Sequence, residues 1–101
     1  PQFNPGFYVD VVLAAKGYPK VYEKNNPIQG ISDAQDSALV FHAGTKKTDD
    51  GTLLTNGGRV LNVVGNGSTL HQAIENAYAA CSKIYFKDCY YRTDIGKRSL
   101  P

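Results

Sequence analysis

Short apolar runs separated by glycine-containing turns fill the first two thirds of this 101-residue chain, and such runs predict strands rather than long helices. The run at residues 7–15 is rich in valine and aromatic residues. It ends at Gly17-Tyr18-Pro19, a turn sequence because glycine permits a positive φ and proline fixes φ. Two further runs, at 38–45 and 58–65, also predict strands.

A hairpin and a loop are predicted between these runs. Asp49-Asp50-Gly51 is typical of a hairpin turn, and it would join the strand at 38–45 to the run at 52–55. Residues 20–31 are polar and interrupted by proline and glycine, so we expect a loop there with a short pairing around Ile28.

An arginine directly follows two glycines at the start of the run at 58–65. Strand alternation places Arg59 on the same face as Leu61 and Val63. An arginine in this position is either an ordinary solvated side chain or a cation directed at a ligand. The run by itself leaves both interpretations open.

Two segments have the spacing of a helix capping box, in which a serine or threonine is followed three residues later by glutamine. Ser32 and Gln35 predict a single helical turn at 32–37. Thr69 and Gln72 begin a longer pattern that predicts a helix of roughly 16 residues with one buried stripe. The stripe contains Leu70, Ala73, Ile74, Ala77, Cys81 and Ile84.

The order of elements predicts the fold class. A last short strand is expected from Tyr90 to Thr93, after the helix, and strands and helices do not alternate regularly along the chain. This order favours an α+β fold, with a small antiparallel sheet and one long helix packed on one face. A chain of 101 residues has room for one core, so residues 1–101 are expected to form a single domain.

Charge and composition argue against several classes of function. The net charge is +2 and the basic residues are scattered, so nucleic-acid binding is not expected. No apolar run is long enough to cross a membrane, and no signal peptide is evident, so we expect a cytoplasmic protein. Cys81 and Cys89 are expected to be reduced, with Cys81 in the core. The chain contains no methionine and is expected to be a piece of a larger protein.

The sequence carries no motif for self-contained catalysis. The chain has no Walker phosphate loop, dinucleotide fingerprint or nucleophile elbow. His42 and His71 are the two histidines, and His71 falls on the polar side of the predicted helix, so a zinc site is not expected. Gly65-Asn66-Gly67 before the helix is read as an ordinary turn rather than an anion site. No catalytic residue and no metal ligand is assigned.

Four glycine-containing turns carry the remaining polar groups. They are Gly17-Tyr18-Pro19, His42-Ala43-Gly44-Thr45, Thr55-Asn56-Gly57-Gly58-Arg59 and Arg92-Thr93-Asp94-Ile95-Gly96. If these turns meet at one rim of the sheet, they would present amides, hydroxyls and guanidinium groups to a phosphate-bearing ligand. The alternative is that the glycines serve tight turns and the arginines are solvated.

These turns also carry a resemblance to a known family. The blocks VVLAAKGYP, VFHAGT, TNGGRVLNVVG, AIENAYAA and YRTDIGKR, in this order between Val11 and Arg98, closely resemble the C-terminal domain of phosphoribosylglycinamide synthetase. The family usually has glycine at the positions of Lys20 and Asn25, so the loop at 16–30 departs from its pattern.

The resemblance implies an ATP-grasp ligase that couples ATP hydrolysis to joining glycine and 5-phosphoribosylamine, giving glycinamide ribonucleotide in de novo purine biosynthesis. It implies that ATP and Mg²⁺ or Mn²⁺ are bound mainly by ATP-grasp domains that precede this segment and are absent from the chain. Those domains and the two small substrates would be its partners. The isolated domain is then expected to be inactive.

The resemblance and the turn chemistry together assign a candidate substrate-binding segment. Acyl phosphates and sugar phosphates are anionic, and preorganised donors in a water-poor cleft stabilise such charge. We expect Arg59 to face the ligand, with Thr55 and Asn56 as neutral donors beside Gly57 and Gly58. The remaining possible rim residues are His42, Gly44, Thr45, Arg92 and Asp94, and the last two are expected to pair and hold the final strand.

Two alternatives remain open. The chain could be a noncatalytic module that binds a small anion or another protein through its glycine turns. It could also be the related terminal domain of another ATP-grasp enzyme, although the HAGT and TNGGRVL blocks favour the synthetase.

Overall fold

The computed structural model describes residues 6–18 and 20–98, with only the backbone described for 94–98. Within these residues the elements are β1 (Gly6–Ala15), α1 (Ile31–Ala34), β2 (Leu39–His42), β3 (Thr45–Lys47), β4 (Leu53–Thr55), β5 (Arg59–Gly67), α2 (Leu70–Cys81) and β6 (Cys89–Arg98). The predicted α+β class is confirmed. Neither helix in the described part of the chain is long and apolar enough to cross a membrane.

The main sheet is antiparallel, and its strand order is β2-β5-β1-β6. β1 lies in the interior of the sheet and is paired on both sides, so that Val11 faces Val63 of β5 and Thr93 of β6. Its apolar sequence suits this position, because the side chains that point towards α2 are fully buried. The predicted strand at 7–15 is therefore confirmed.

The predicted strand at 38–45 is divided between two sheets. β2 pairs with β5, whereas β3 pairs with β4 in a separate two-stranded sheet closed by the predicted hairpin turn. The chain bends at Ala43-Gly44, because both amides donate to the carbonyl of Val60, at 3.0 and 3.1 Å. In the hairpin turn, hydrogen bonds from Thr48 and Thr52 lower the pKa of Asp50.

Helix α2 packs on β5 and β1 and begins where the sequence predicts. The Thr69 side chain accepts a hydrogen bond from the Gln72 amide at 3.1 Å. The Gln72 side chain accepts from the amide of Ser68 rather than from that of Thr69. The polar face prediction also holds, since His71 is exposed.

The helix is 12 residues long, shorter than predicted, because tertiary partners take over at its end. The Cys81 carbonyl accepts a hydrogen bond from the Tyr91 hydroxyl at 3.0 Å. The Tyr85 amide donates to the Gln29 carbonyl at 2.9 Å instead of continuing the helix. Ile84, predicted at the helical end of the stripe, is buried beyond the helix.

The core lies between α2 and one face of the sheet. Cys81 belongs to it, as predicted, and Phe86 is a fully buried member that helical spacing did not identify. The buried cluster comprises Val9, Val11, Leu13, Ala34, Val60, Leu61, Val63, Ala73, Ala77, Ala80, Cys81, Ile84 and Phe86.

The short helix α1 forms as predicted, but the predicted Ser32–Gln35 capping box is wrong. Ser32 lies inside the helix, and Gly30 is the N-cap residue, with φ of 89° and no side-chain cap. The loop before it pairs around Ile28 as predicted, through bridges at Pro27 and Gln29.

β6 is longer than the predicted strand Tyr90–Thr93 and runs along β1 for ten residues. The turn predicted at 92–96 is therefore wrong. Gly96 faces Tyr8 in the ladder and continues the strand instead of bending it.

The sheet face opposite α2 carries neither of the two described helices, since α1 packs on the α2 side. Residues paired across neighbouring strands share a face. We call this side the open face. Its described residues in register rows are Asn66 and Tyr8, then Leu39, Val64 and Asp10, then Phe41, Asn62, Val12 and Arg92, then Arg59, Ala14 and Tyr90.

Candidate functional site

Three of the four predicted turns meet at one end of the main sheet. The Ala15 amide donates to the Gly58 carbonyl at 2.7 Å, which joins the turn after β1 to the turn before β5. The Asn56 amide donates to the Gly44 carbonyl at 2.7 Å, which adds the bend after β2. We call this end, formed by residues 17–18, 42–45 and 55–59, the rim. The predicted convergence is confirmed for these three turns.

Close packing explains two of the rim glycines, against a tyrosine ring at Gly58 and against backbone at Gly44. A Cβ atom at Gly58 would lie 1.6 Å from Cδ1 of Tyr18, because the tyrosine ring packs directly on this residue. A Cβ atom at Gly44 would lie 2.4 Å from the carbonyl oxygen of Arg59. Side chains at these positions would push the turns apart, so the rim requires glycine there.

Arg59 occupies an unexpected face of the sheet because β5 contains a bulge. Leu13 pairs with Leu61, but the next residue, Ala14, pairs with Arg59, so Val60 is an extra residue in the ladder. Val60 and Leu61 are both fully buried. The extra residue reverses the alternation, as bulges do when they redirect a side chain. The prediction that Arg59 shares a face with Leu61 is therefore wrong.

The bulge turns the Arg59 side chain towards the open face, where it is exposed. Its guanidinium makes no hydrogen bond or ion pair with any residue that the structure describes. Its backbone is held firmly, because the Arg59 carbonyl lies against Gly44 and the preceding carbonyl accepts from Ala15. The Arg59 backbone is therefore fixed while its guanidinium is available to bind a carboxylate or phosphate group.

The Thr55 side chain has a structural role in this domain. It is 1% exposed, and its hydroxyl accepts a hydrogen bond from the Asn26 amide at 3.0 Å. Its backbone carbonyl accepts from the Asn25 amide at 2.7 Å. These bonds tie the loop at 25–28 to β4. Asn56, the next residue, is exposed at the rim.

His42 and Thr45 form a polar pair at the outer side of the rim. His42 Nδ1 lies 3.0 Å from Thr45 Oγ1, and the His42 ring is exposed. Thr45 also pairs with Thr55 across the small sheet. The pair is therefore positioned by both sheets at once.

Arg92 lies outside the rim but on the same face as Arg59. It pairs with Val12, whereas Arg59 pairs with Ala14. The two Cα atoms are roughly 12 Å apart, since two strand spacings and two residues separate them. The predicted pairing of Arg92 with Asp94 concerns a side chain outside the described residues.

Comparison with known proteins identifies the family. Residues 8–98 match the family model of the phosphoribosylglycinamide synthetase C domain. The chain belongs to this family.

Similar proteins agree with this assignment. The phosphoribosylamine–glycine ligase of Phenylobacterium zucineum is 50% identical over 93 residues, covering 91% of this chain and 22% of that protein. The ligase of Caulobacter vibrioides is 46% identical over 101 residues, covering 99% of this chain and 24% of that protein. The crystal structure of the Thermotoga maritima ligase has a TM-score of 0.76 at 45% identity, covering 86% of this chain and 21% of that chain.

The synthetase C domain described here spans less than a quarter of each of these relatives. Its described residues contain no group of three or more histidine, cysteine, aspartate or glutamate side chains that could hold a metal ion.

The cysteines of this C domain are free thiols. Burial raises the pKa of Cys81 to about 11. Burial, with the neighbouring Cys81, raises the pKa of Cys89 to about 12. Since a thiol must ionise to act as a nucleophile, both thiols are protonated and unreactive near neutral pH.

Sequence reasoning did not assign two aromatic residues of this C domain to the site. Tyr18 lies on Gly58 and is 40% exposed, and Tyr90 shares the row of Arg59 on the open face and is 58% exposed. Tyr18 belongs to the predicted turn after β1, but its ring contacts Gly58, which is about 40 residues away in the sequence. No local pattern signals such a contact.

Proposed function

We propose that this chain is the C-terminal domain of an ATP-dependent phosphoribosylamine–glycine ligase, and that it forms one single domain of that cytoplasmic enzyme. The supporting observation is the family match over residues 8–98 together with an unpaired, backbone-anchored cation at the rim. In this proposal the domain supplies one wall of the cleft in which glycinamide ribonucleotide is made.

The chemistry of the reaction suits this wall. Glycine is activated as an acyl phosphate by phosphoryl transfer from ATP, with ADP released, and the amine of 5-phosphoribosylamine then displaces inorganic phosphate. One phosphate group is therefore at the reacting carbon, and a second is at the far end of the ribose. A guanidinium that is already oriented stabilises such charge without reorganising, and it does so more strongly when water is excluded. Arg59 is the residue that meets these conditions, and Asn56 is exposed in the same turn. The His42–Thr45 pair lies on the other side of the rim, since His42 pairs with Leu61.

The open face is where we place the contact with the ATP-grasp domains. Leu39 and Phe41 are 54% and 53% exposed there, two large apolar side chains on the same face of one edge strand. More than three quarters of each relative lies outside the matched segment, which leaves ample chain to cover this face. Arg59 and Arg92 share the face, so docking would bring both cations to the edge of the cleft.

ATP and Mg²⁺ or Mn²⁺ are assigned to the ATP-grasp domains in this proposal. The large share of each relative that lies outside the matched segment leaves room for those domains.

Complementation tests the proposal. A Caulobacter vibrioides ligase truncated before its last domain would be mixed with this chain, and glycine-dependent ADP release would be measured with 5-phosphoribosylamine present. We expect activity only in the mixture. An inactive mixture, and an equally inactive covalent chimera of the two, would favour the noncatalytic binding module.

The role of Arg59 is tested in the same chimera. We expect Arg59→Ala to lower turnover on the order of 10² while the thermal midpoint is unchanged. Lys83→Ala is the matched control, because Lys83 is an exposed cation beyond the end of α2, on the side of the sheet opposite Arg59. Equal turnover for the two variants would remove Arg59 from the site.

A further inference from the structure

The turn after β1 places an aromatic ring against the residue that precedes Arg59. The Tyr18 ring occupies the space that a side chain at Gly58 would fill, with Cδ1, Cε1 and Cγ at 1.6, 2.1 and 2.3 Å from an ideal Cβ position. The Gly57-Gly58 pair would otherwise allow many backbone paths, because glycine has the widest choice of φ and ψ. The ring therefore restricts the backbone conformations open to Gly58, at the point where the chain enters β5.

The Tyr18 ring is itself braced. Tyr22 meets it edge to face, with ring centroids 5.5 Å apart and planes at 67°. The turn beneath it is closed by hydrogen bonds from the Tyr18 amide to the Ala15 carbonyl at 3.1 Å and from the Lys20 amide to the Gly17 carbonyl at 2.8 Å. Edge-to-face contacts of this kind favour one ring orientation.

The backbone around Gly58 is then held from two sides. The ring covers Gly58, and the Gly58 carbonyl accepts a hydrogen bond from Ala15 at 2.7 Å. The next residue is Arg59, and the direction in which its side chain leaves the strand depends on the conformation of Gly58. The guanidinium itself has no described partner that could hold it.

We propose that Tyr18 is a positioning residue of the ligase, and that its ring acts through Gly58 to aim Arg59. This inference rests on the proposed function of Arg59. It assigns the role to the ring face and not to the hydroxyl, because the ring makes the contact with Gly58. Displacements of about 1 Å in a positioned catalytic group cost up to about 10²-fold in rate, so a loosened Gly58 is expected to be visible in kcat.

A kinetic double-mutant cycle in the chimera tests this role. Tyr18→Ala, Arg59→Ala and the double variant would be compared with the unmodified chimera, with kcat and KM measured separately. We expect Tyr18→Ala to lower kcat by about tenfold or more, and to add nothing in the Arg59→Ala background, since residues acting through one contact are not additive. Tyr18→Phe should restore kcat, because it keeps the ring.

Tyr85→Ala is the matched control, since Tyr85 is 63% exposed and contacts the loop at Gln29 through its backbone. Should Tyr18→Ala fail to fold, Gly58→Ala disrupts the same contact from the other side and should lower kcat in the same way. The folded state of each variant would be checked by circular dichroism and thermal midpoint.

Each other outcome overturns the inference, and the outcomes are distinguishable. If Arg59→Ala lowers kcat but Tyr18→Ala does not, the role of Tyr18 is refuted and that of Arg59 stands. The same holds if the two losses in kcat multiply in the double variant. A Tyr18→Phe variant as impaired as Tyr18→Ala shows that the hydroxyl matters, and refutes action through the ring. If Arg59→Ala leaves kcat unchanged, the role of Arg59 and the role of Tyr18 are both refuted.

Discussion

At the scale of single residues, Asn25 shows how a residue other than glycine occupies a left-handed position. Its φ is 66°. Asparagine enters this region more readily than most residues because its short polar side chain can hydrogen-bond locally. The Asn25 amide is thereby able to reach the Thr55 carbonyl, so the loop keeps its attachment to β4.

The cost of a Cβ-bearing residue at position 25 can be measured. We expect Asn25→Ala to lower the free energy of unfolding by roughly 1 kcal/mol, because alanine lacks the local hydrogen bonds that offset a left-handed conformation. Asn25→Gly should stay within about 0.5 kcal/mol of the unmodified chain, since glycine adopts this conformation without steric cost. Urea unfolding of both variants measures the difference. Equal stabilities would show that the loop adopts another conformation in solution.

At the scale of elements, α2 lies unusually close to β5 because small residues meet at their contact. A Cβ atom at Gly65 would lie 2.4 Å from both the Ala73 carbonyl oxygen and the Ala77 nitrogen. Gly65 was predicted in a turn before the helix, but it lies within β5, which ends at Gly67. Its glycine is therefore explained by contact with the helix backbone and not by anion binding.

This contact predicts a strong effect of one added methyl group. Gly65→Ala should lower the free energy of unfolding by about 1–3 kcal/mol or more, because the helix backbone cannot move aside as a flexible side chain can. Gly57→Ala is the control, since a Cβ atom there meets Gly44 at 3.4 Å, an ordinary contact distance. Calorimetric unfolding of the two variants compares them. A Gly65→Ala variant as stable as Gly57→Ala would contradict the packing described for α2.

Element types were largely predictable from the sequence, and element ends were not. The Thr69 cap and the alanine stripe were local signals, and they placed the start of α2 correctly. Its end depends on Tyr91 and on a bridge to Gln29, both distant in sequence. The bulge at Val60 likewise has no local signal, because it is fixed by pairing with β1 and by two amides from the bend after β2.

The same distinction applies to the candidate site. The glycine turns of the rim could be predicted, because the conformation of a turn depends on residues that are adjacent in the sequence. The face on which Arg59 emerges was predicted wrongly, since one unpaired residue in a ladder reverses every side chain on one side of it. Thr55 was assigned to a ligand from its neighbours, yet its hydroxyl is occupied by the Asn26 amide.

At the scale of the whole molecule, the two faces of the main sheet have different surroundings. One face is covered by α2 and contains the buried cluster, whereas Leu39 and Phe41 on the open face remain half exposed. An edge strand with such side chains is a natural place for another part of a larger chain to pack. The proposed contact with the ATP-grasp domains uses this asymmetry.

Phe41 gives the proposed contact a direct test. Phe41→Asp should change the stability of this chain by no more than about 0.5 kcal/mol, because the side chain is already exposed. It should weaken association with the truncated Caulobacter vibrioides ligase by about tenfold or more, because a buried aromatic anchor is replaced by a charge. Titration calorimetry measures both binding constants. Tyr85→Asp is the control, and equal affinities for the two variants would place the contact elsewhere.

The rim joins residues 17–18, 42–45 and 55–59, which become neighbours only when β1, β2 and β5 lie side by side. It is thus a discontinuous epitope in the immunological sense. An antibody raised against the native rim should not recognise the denatured chain on a blot, and a synthetic peptide copying any one of the three segments should not compete for it.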